Sequence, residues 1–164
     1  MIVLGLGTNL GNREEQLRRA VTALKPLLAD LTCSPVYESS ALLPENAAQE
    51  WDRAFLNMAV AGTTTLTPRA LLAELKTLER SLGRTPRAHW GPREIDIDIL
   101  AYGDETLSEP DLIIPHAALL ERDFALIPFA DIAPLWHHPV AGKTARALAV
   151  QITSTLTGTD IVIA

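Results

Sequence analysis

Two aspartates stand one residue apart in a stretch that alternates acidic and apolar side chains, Ile95-Asp96-Ile97-Asp98-Ile99. A period of two predicts a β-strand, with Asp96 and Asp98 on one face, about 6.5–7 Å apart, and the isoleucines in a core. Adjacent carboxylates repel each other unless a cation lies between them, and a carboxylate pair completed by phosphate oxygens suits Mg²⁺. The alternative for so short a motif is a half-exposed strand whose aspartates face water.

Arginines precede this strand, in a segment interrupted by Gly83, Pro86 and Gly91-Pro92. A guanidinium group binds two phosphate oxygens at once, so these arginines favour a phosphorylated ligand. Because the segment has few apolar residues, residues 83–90 are predicted to be mobile and to close when a ligand supplies negative charge. The arginines that we assign to this role are Arg84, Arg87 and Arg93.

Four strands and two helices are predicted to position these residues. The strands are expected at residues 1–7, 31–40, 55–65 and 95–100, and the helices at residues 12–29 and 67–83. The order β-α-β-β-α-β predicts an α+β fold, a ferredoxin-like sandwich with an antiparallel sheet and helices packed on one face. Mobile loops would lie over a ligand site at the edge of the sheet.

The second half of the chain gives weaker signals. A short hairpin is predicted around Thr106 and Leu107, followed by an edge segment at residues 110–114 and a helical stretch that begins at Pro115. A further helix is expected from about Thr144, and residues 161–163 form a β-like end. We find no repeat and no low-complexity segment.

The composition is that of one acidic domain spanning residues 1–164. Hydrophobic residues make up 48% of the chain and charged residues 21%, which is typical of a soluble globular protein. The net charge of −6 argues against a nucleic-acid or membrane-surface partner, because such partners need a basic field. Cys33 is the only cysteine, which excludes an internal disulfide and a cysteine-rich zinc site. A cytoplasmic location is the expectation.

The longest motif, Trp90-Gly91-Pro92-Arg93-x-Ile95-Asp96-Ile97-Asp98-Ile99-Leu100, resembles the signature of the 6-hydroxymethyl-7,8-dihydropterin pyrophosphokinase family. Four shorter elements also match, namely Gly7-Thr8-Asn9-Leu10-Gly11, Phe55-Leu56-Asn57, Pro115-His116 and Arg122-x-Phe124. The resemblance covers roughly residues 1–138 and implies the same fold. It implies transfer of the β,γ-pyrophosphoryl group of ATP to 6-hydroxymethyl-7,8-dihydropterin, a step of folate biosynthesis that yields AMP and the pterin diphosphate.

The resemblance also implies which residues carry the reaction. Asp96 and Asp98 would hold two Mg²⁺ ions with ATP and, with Arg84 and Arg93, form the catalytic set. ATP binding is implied for Glu79, Arg84, Arg87, Arg93, Ile99, His116 and Arg122. Pterin binding is implied for Thr8, Ser39, Ser40, Leu42, Phe55, Asn57, Trp90, Asp96 and Phe124. By residue type alone, Asn57 also fits a turn cap, Glu79 a solvated helix position and His116 a structural hydrogen bond.

The chain departs from the family pattern at positions where Arg or Tyr is common, which are Pro86, His89, Ala117 and Phe55. Residues 42–51 form a longer loop than in the compact members of the family. Within this loop, Leu43-Pro44-Glu45-Asn46 is similar to members that are fused to dihydropteroate synthase. The similarity indicates dihydropteroate synthase as a covalent or pathway partner, with this chain as, or homologous to, one domain of such a fusion.

Two other classes of protein compete with this interpretation. Gly5-x-Gly7-x-x-x-Gly11 lies between a predicted strand and a helix, as in a dinucleotide-binding module, but its spacing is one residue too long for Gly-x-Gly-x-x-Gly. A non-catalytic ferredoxin-like ligand sensor would leave the aspartate pair and the arginine segment unexplained. A product assay for AMP separates both classes from a pyrophosphokinase.

Overall fold

The computed structural model describes residues 1–87 and 89–164, and an antiparallel sheet forms its centre. The first half of the chain contains β1 (Ile2–Thr8), α1 (Arg13–Leu24), β2 (Ala29–Cys33), β3 (Tyr37–Ser39), a 3-10 turn (Gln49–Trp51), β4 (Phe55–Thr63) and α2 (Pro68–Ser81). The second half contains β5 (Asp96–Tyr102), β6 (Leu107–Glu109), β7 (Leu112–Ile114), α3 (Asp123–Ile132), α4 (Ala145–Gln151) and β8 (Thr157–Gly158). The predicted α+β class is confirmed.

The main sheet has six strands in the order β5-β1-β4-β3-β8, and β2 pairs with β4 beside β3. All of these pairs are antiparallel. Helix α1 connects β1 to β2, while β4 lies between these two strands and α2 leads to β5 at the edge. This is the split β-α-β arrangement that the predicted order of elements requires. Strands β6 and β7 form a separate hairpin, so the segment predicted as an edge at residues 110–114 pairs with the strand that begins at Leu107.

Helix α1 begins where its capping residue predicts but ends early. The Asn12 side chain accepts the backbone N–H of Glu15 at 3.1 Å. The predicted end near residue 29 is wrong, because α1 stops at Leu24 and Pro26 has no N–H with which to continue the helix. Leu28 still packs in the core, from the turn that follows the helix.

The strand predicted at residues 31–40 is two strands, because Pro35 cannot donate a hydrogen bond to the sheet. Beside it, Ser34 donates its N–H to the carbonyl of Ala59 at 2.9 Å, and its hydroxyl accepts the Ala59 N–H at 2.8 Å. The β-like end predicted at residues 161–163 is also wrong. Residues 157–158 pair with β3 instead, and Ile163 turns into the core.

Helices cover both faces of the sheet, because β1 and β4 carry small or apolar residues on both sides. Helices α1 and α2 pack against one face, which includes Leu4 and Met58. Helices α3 and α4 pack against the other face, at Val3, Ala59 and Ala61. The prediction of helices on one face therefore holds for α1 and α2 only. Across residues 1–87 and 89–164, no helix combines the length and hydropathy needed to cross a membrane.

Candidate active site

A pocket lies over the part of the sheet that α3 and α4 leave uncovered. Its floor is formed by β5, β1 and β4. Its walls are formed by residues 39–42, residues 89–91 and the first turn of α3. About 190 Å³ is available to the centres of water molecules. Because one water needs roughly 10–15 Å³ of such space, the pocket has room for a two-ring heterocycle. The site therefore lies on a face of the sheet, and the predicted position across the edge of the sheet is wrong.

Two glycines of β1 keep the floor of this pocket open. A Cβ atom at Gly7 would lie 3.3 Å from Oδ1 of Asn57, and a Cβ at Gly5 would lie 3.1 Å from Cδ1 of Leu100. Both distances are tighter than ordinary carbon contacts. Because neither glycine has a side chain, the side chains of the flanking strands can line the pocket.

The two aspartates share this floor but differ in their partners. Asp96 is mostly buried, and each of its carboxylate oxygens pairs with one arginine, Oδ1 with Arg84 and Oδ2 with Arg93. Asp98 is half-buried and makes no ion pair or hydrogen bond with the other described residues. Burial and the negative charge of Asp98 raise the pKa of Asp96, while Arg93 and Arg84 oppose that rise.

This arrangement fits a divalent cation. Burial and the neighbouring charge of Asp98 raise the pKa of Asp96 despite its two arginines, and Asp98 offers a carboxylate that is unpaired among the described residues. Within residues 1–87 and 89–164, no cluster of three or more His, Cys, Asp and Glu side chains forms a complete protein cage for a metal. Two carboxylates without further protein ligands suit Mg²⁺, which usually keeps waters and phosphate oxygens in its coordination shell.

Arg84 reaches Asp96 from the end of α2, where Glu79 holds it. Glu79 is 2% exposed, and its Oε2 lies 2.6 Å from Nη1 of Arg84. Its Oε1 accepts the backbone N–H of Ile97 at 2.7 Å, between the two aspartates. Lys76 also contacts the carboxylate, at 3.1 Å. Glu79 thus fixes both the strand that carries the aspartates and the arginine that pairs with one of them.

His116 and Arg122 form the opposite side of the pocket, and both are suited to bind an anion. Nδ1 of His116 accepts the N–H of Ala118 at 3.2 Å, so the neutral ring carries its proton on Nε2. Burial lowers the pKa of His116 and Arg122 adds to that effect, while Asp98 opposes it. The Arg122 guanidinium lies 5.7 Å from the ring centre of Phe124. A neutral donor and a guanidinium group therefore face the same pocket.

Asn57 lies on the floor at the end of the pocket nearest to β3. It is 5% exposed, and its Nδ2 donates to the hydroxyl of Ser39 at 2.9 Å. Its Oδ1 accepts no hydrogen bond from the other described residues and borders the space above Gly7. Because Ser39 fixes the NH₂ group, the free side-chain oxygen of Asn57 can accept a hydrogen bond from an N–H at the edge of a heterocycle.

Most residues that the sequence predicts for the site do line this pocket. They are Ser39, Ser40, Leu42, Phe55, Asn57, Trp90, Arg93, Asp96, Asp98, His116, Arg122 and Phe124. Trp90 and Leu42 are exposed at its rim. Ala88, within the predicted mobile loop, lies outside the described residues, and the mobility of that loop stays a prediction.

Five predicted residues do not line the pocket. Glu79 and Arg84 lie beneath it, in the ion pairs described above, and Arg87 pairs with Glu94 at 2.7 Å. Ile99 packs in the core on the α1 side of the sheet, so its side chain points away from the pocket. Thr8 is fully buried, and its hydroxyl has no partner among the described residues. Direct ligand contacts by these five side chains stay a prediction.

Three further groups of the site escaped the sequence analysis. Leu100 extends the floor beyond Asp98, and the period of two that we used for the aspartates would have included it. Ala125 follows Phe124 in the wall, because the first turn of α3 faces the pocket. His89 stacks edge-on with Trp90, at 4.6 Å between ring centres. We noted His89 only as a departure from the family pattern.

Comparison with known proteins decides between the classes considered above. Residues 3–134 match the model of the family described as 7,8-dihydro-6-hydroxymethylpterin-pyrophosphokinase. The chain belongs to this pyrophosphokinase family. The family resemblance of the sequence is confirmed, and the dinucleotide-binding and ligand-sensor alternatives are set aside.

Relatives of two kinds share this family's sequence. The 2-amino-4-hydroxy-6-hydroxymethyldihydropteridine pyrophosphokinase of Aquifex aeolicus is 41% identical over 142 residues, which cover 87% of this chain and 86% of the relative. The folate synthesis bifunctional protein of Chlamydia muridarum is 44% identical over 156 residues, which cover 90% of this chain but 35% of the relative. The chain thus spans about a third of the length of such bifunctional relatives.

Solved structures of the family have the same fold. The wild-type HPPK-DHPS of Plasmodium falciparum superposes with a TM-score of 0.70, over 92% of this chain and 44% of that chain. A triple mutant of the same protein gives a TM-score of 0.73 over 92% of this chain and 41% of that chain. The sequence identities are 18% and 19%, so these structures support the fold alone.

Proposed function

We propose that the protein transfers the β,γ-pyrophosphoryl group of ATP to 6-hydroxymethyl-7,8-dihydropterin. The pterin hydroxymethyl oxygen attacks the β-phosphorus, the bond from that phosphorus to the α-phosphate oxygen breaks, and AMP leaves. The products are AMP and the pterin diphosphate, an activated intermediate of folate biosynthesis. The family match and the names of the relatives support this reaction.

One observation carries the proposal. The Asp98 carboxylate, unpaired among the described residues, lines the same pocket as Asn57, whose side-chain oxygen accepts no hydrogen bond from those residues. A site for a cation and phosphate therefore adjoins a site for a heterocycle. A dinucleotide-binding module or a ligand sensor has no need for an unpaired carboxylate next to arginines. A transfer from a triphosphate to a heterocyclic alcohol needs both halves.

Asp96 and Asp98 are the residues that would hold Mg²⁺, two ions with ATP, and the metal would neutralise charge that develops on the triphosphate. Without a ligand, Arg84 and Arg93 both form ion pairs with Asp96. Phosphate oxygens compete for the same guanidinium groups. Binding of ATP would therefore move both arginines from Asp96 to the phosphates and release the carboxylate for the cation.

The remaining side chains hold the substrates in line. The Nε2–H of His116 and the guanidinium of Arg122, which line the same pocket as Arg93, would donate to phosphate oxygens. Asn57, Ser39 and Phe124 would hold the pterin, with its hydroxymethyl group towards the aspartates. Closure of the loop that carries Trp90 would exclude water. No side chain of the described pocket is required as a general base, because positioning and electrostatics dominate phosphoryl transfer.

The partner is a second part of the proposal. Dihydropteroate synthase would use the pterin diphosphate, and the bifunctional relatives support a covalent or pathway association with it. The cytoplasm is the expected location, and neither a nucleic acid nor a membrane is an expected partner.

A product assay tests the proposed reaction. The protein is incubated with ATP, MgCl₂ and 6-hydroxymethyl-7,8-dihydropterin, and nucleotides are separated after short times. We expect AMP in equal amount to the pterin diphosphate, no ADP, and no product when EDTA or the absence of the pterin blocks turnover. ADP as the product, or AMP formed at the same rate without the pterin, would refute the reaction.

A further inference from the structure

Asn9 lies in the turn between β1 and α1, outside the pocket, and both the oxygen and the nitrogen of its side chain are hydrogen-bonded. It is 4% exposed, and its Oδ1 accepts the backbone N–H of Arg93 at 2.7 Å. Its Nδ2 donates to the carbonyl of Arg53 at 3.1 Å, and its own backbone N–H donates to the carbonyl of Arg93 at 3.1 Å. One buried asparagine therefore joins two segments that are remote from it in sequence.

On one side, Asn9 fixes the backbone at the residue that pairs with the aspartate. It bonds both the N–H and the carbonyl of Arg93, whose guanidinium reaches Asp96 and the carbonyl of His89. Strand β5 begins only at Asp96, so the sheet supplies no hydrogen bonds to Arg93. Asn9 takes the place of a neighbouring strand there and sets the direction of the Arg93 side chain.

On the other side, Asn9 fixes the end of the segment that forms the opposite wall. Residues 40–53 carry Ala41 and Leu42 at the pocket and end at Arg53, whose carbonyl accepts a hydrogen bond from Asn9. The next carbonyl, of Ala54, accepts from Arg13 at 2.8 Å. Strand β4 then begins with Phe55, which lines the pocket. The contacts of Asn9 thus reach both Arg93 and the segment of residues 40–53 that carries Ala41 and Leu42.

We propose that Asn9 is a positioning residue that aims Arg93 and joins the two walls of the pocket. It does not line the pocket, and it acts through Arg93 on one side and Arg53 on the other. Without it, the Arg93 N–H and the Arg53 carbonyl lose buried partners, and both segments must relax to find others. The role in turnover rests on the transfer reaction proposed above, whereas the link between the two segments does not.

A double-variant experiment tests whether Asn9 acts through Arg93. Asn9→Ala, Arg93→Ala and the double variant are compared in kcat, with Asn12→Ala as the matched control. Asn12 belongs to the same turn but only caps α1 and contacts neither wall. We expect Arg93→Ala to lower kcat about 10²-fold in the wild-type protein. In the Asn9→Ala background, the same substitution should lower kcat by about tenfold or less. In the Asn12→Ala background, Arg93→Ala should have its full effect.

Asn9→Asp separates the two contacts and serves if Asn9→Ala does not fold. The carboxylate still accepts the Arg93 N–H but cannot donate to the Arg53 carbonyl. We expect Arg93→Ala to have its full effect on kcat in this background, while KM for the pterin rises. The positioning role would be overturned if Arg93→Ala lowered kcat as much in the Asn9→Ala background as in the wild type. It would also be overturned if Arg93→Ala no longer lowered kcat in the Asn9→Asp background.

Amide hydrogen exchange of the ligand-free protein tests the link without any activity. The Arg93 amide should exchange about tenfold faster or more in Asn9→Ala, and at the wild-type rate in Asn12→Ala. If the wild type forms no AMP, the proposed reaction fails while this exchange result still decides the link. An Arg93 amide that exchanges equally in the wild type and in Asn9→Ala would show that Asn9 does not hold this segment.

Discussion

Glu79 offers a sharp test of how the aspartate strand is held. Its carboxylate is buried on α2, accepts the N–H of Ile97, and pairs with Arg84 and Lys76. Replacement by Ala removes all three contacts, whereas Gln keeps a neutral acceptor for the Ile97 N–H. Glu74 lies on the same helix, is exposed, and provides the control Glu74→Ala.

The size of the effect follows from the partners of Glu79. Glu79→Ala leaves a buried backbone N–H unpaired, which costs about 1–3 kcal/mol. The Arg84 side chain is 25% exposed and keeps Asp96, so loss of this ion pair adds about 1 kcal/mol. We expect Glu79→Ala to lower the free energy of unfolding by about 2–4 kcal/mol. For Glu79→Gln we expect a decrease of about 1 kcal/mol, because the Ile97 N–H keeps an acceptor and only the charge of the carboxylate towards Ile97, Arg84 and Lys76 is lost.

Urea unfolding of the three ligand-free variants checks these values, with thermal unfolding as a second measurement. At about 2–4 °C per kcal/mol for a domain of this size, Tm should fall by roughly 4–16 °C in Glu79→Ala and 2–4 °C in Glu79→Gln. Glu74→Ala should remain within about 0.5 kcal/mol of the wild type. If Glu79→Ala keeps the wild-type free energy of unfolding but loses affinity for ATP, Glu79 is a ligand contact and not a structural anchor.

Three further predictions concern the pocket itself. Asp98→Asn should abolish turnover with little change in Tm, because Asp98 has no ion pair among the described residues; near-normal kcat at low Mg²⁺ would contradict its role. Asn57→Ala should weaken pterin binding by about 1–3 kcal/mol, roughly 5- to 150-fold in Kd, and leave ATP binding nearly unchanged by calorimetry. His116 has a lowered pKa, so the unfolded chain takes up its proton first as the pH falls, and the free energy of unfolding decreases below about pH 6.5. His116→Asn should lose that part of the pH dependence between pH 7 and pH 5; an unchanged slope would show that His116 is not responsible for it.

Features encoded by neighbouring residues could be predicted from the sequence. The alternation around Asp96 and Asp98 predicts a strand with both carboxylates on one face, and the structure has both in one pocket. The caps at Asn12 and Thr67 mark where helices begin, because a side-chain acceptor three residues before a backbone N–H is a local pattern. The long Trp90–Leu100 motif predicts the family for the same reason, since all of its information lies in one stretch.

The tertiary structure alone decided which remote groups meet. Asn9 and Arg93 are 84 positions apart, and they bond because β1 and β5 pair in a register that no local pattern specifies. The packing of α2 likewise places the Glu79 carboxylate against the backbone of Ile97, a contact that the sequence pattern did not predict. A site on the face of the sheet also required knowing that α3 covers only part of that face. Periodicity determines which way a side chain points from its own element, whereas packing determines what it meets there.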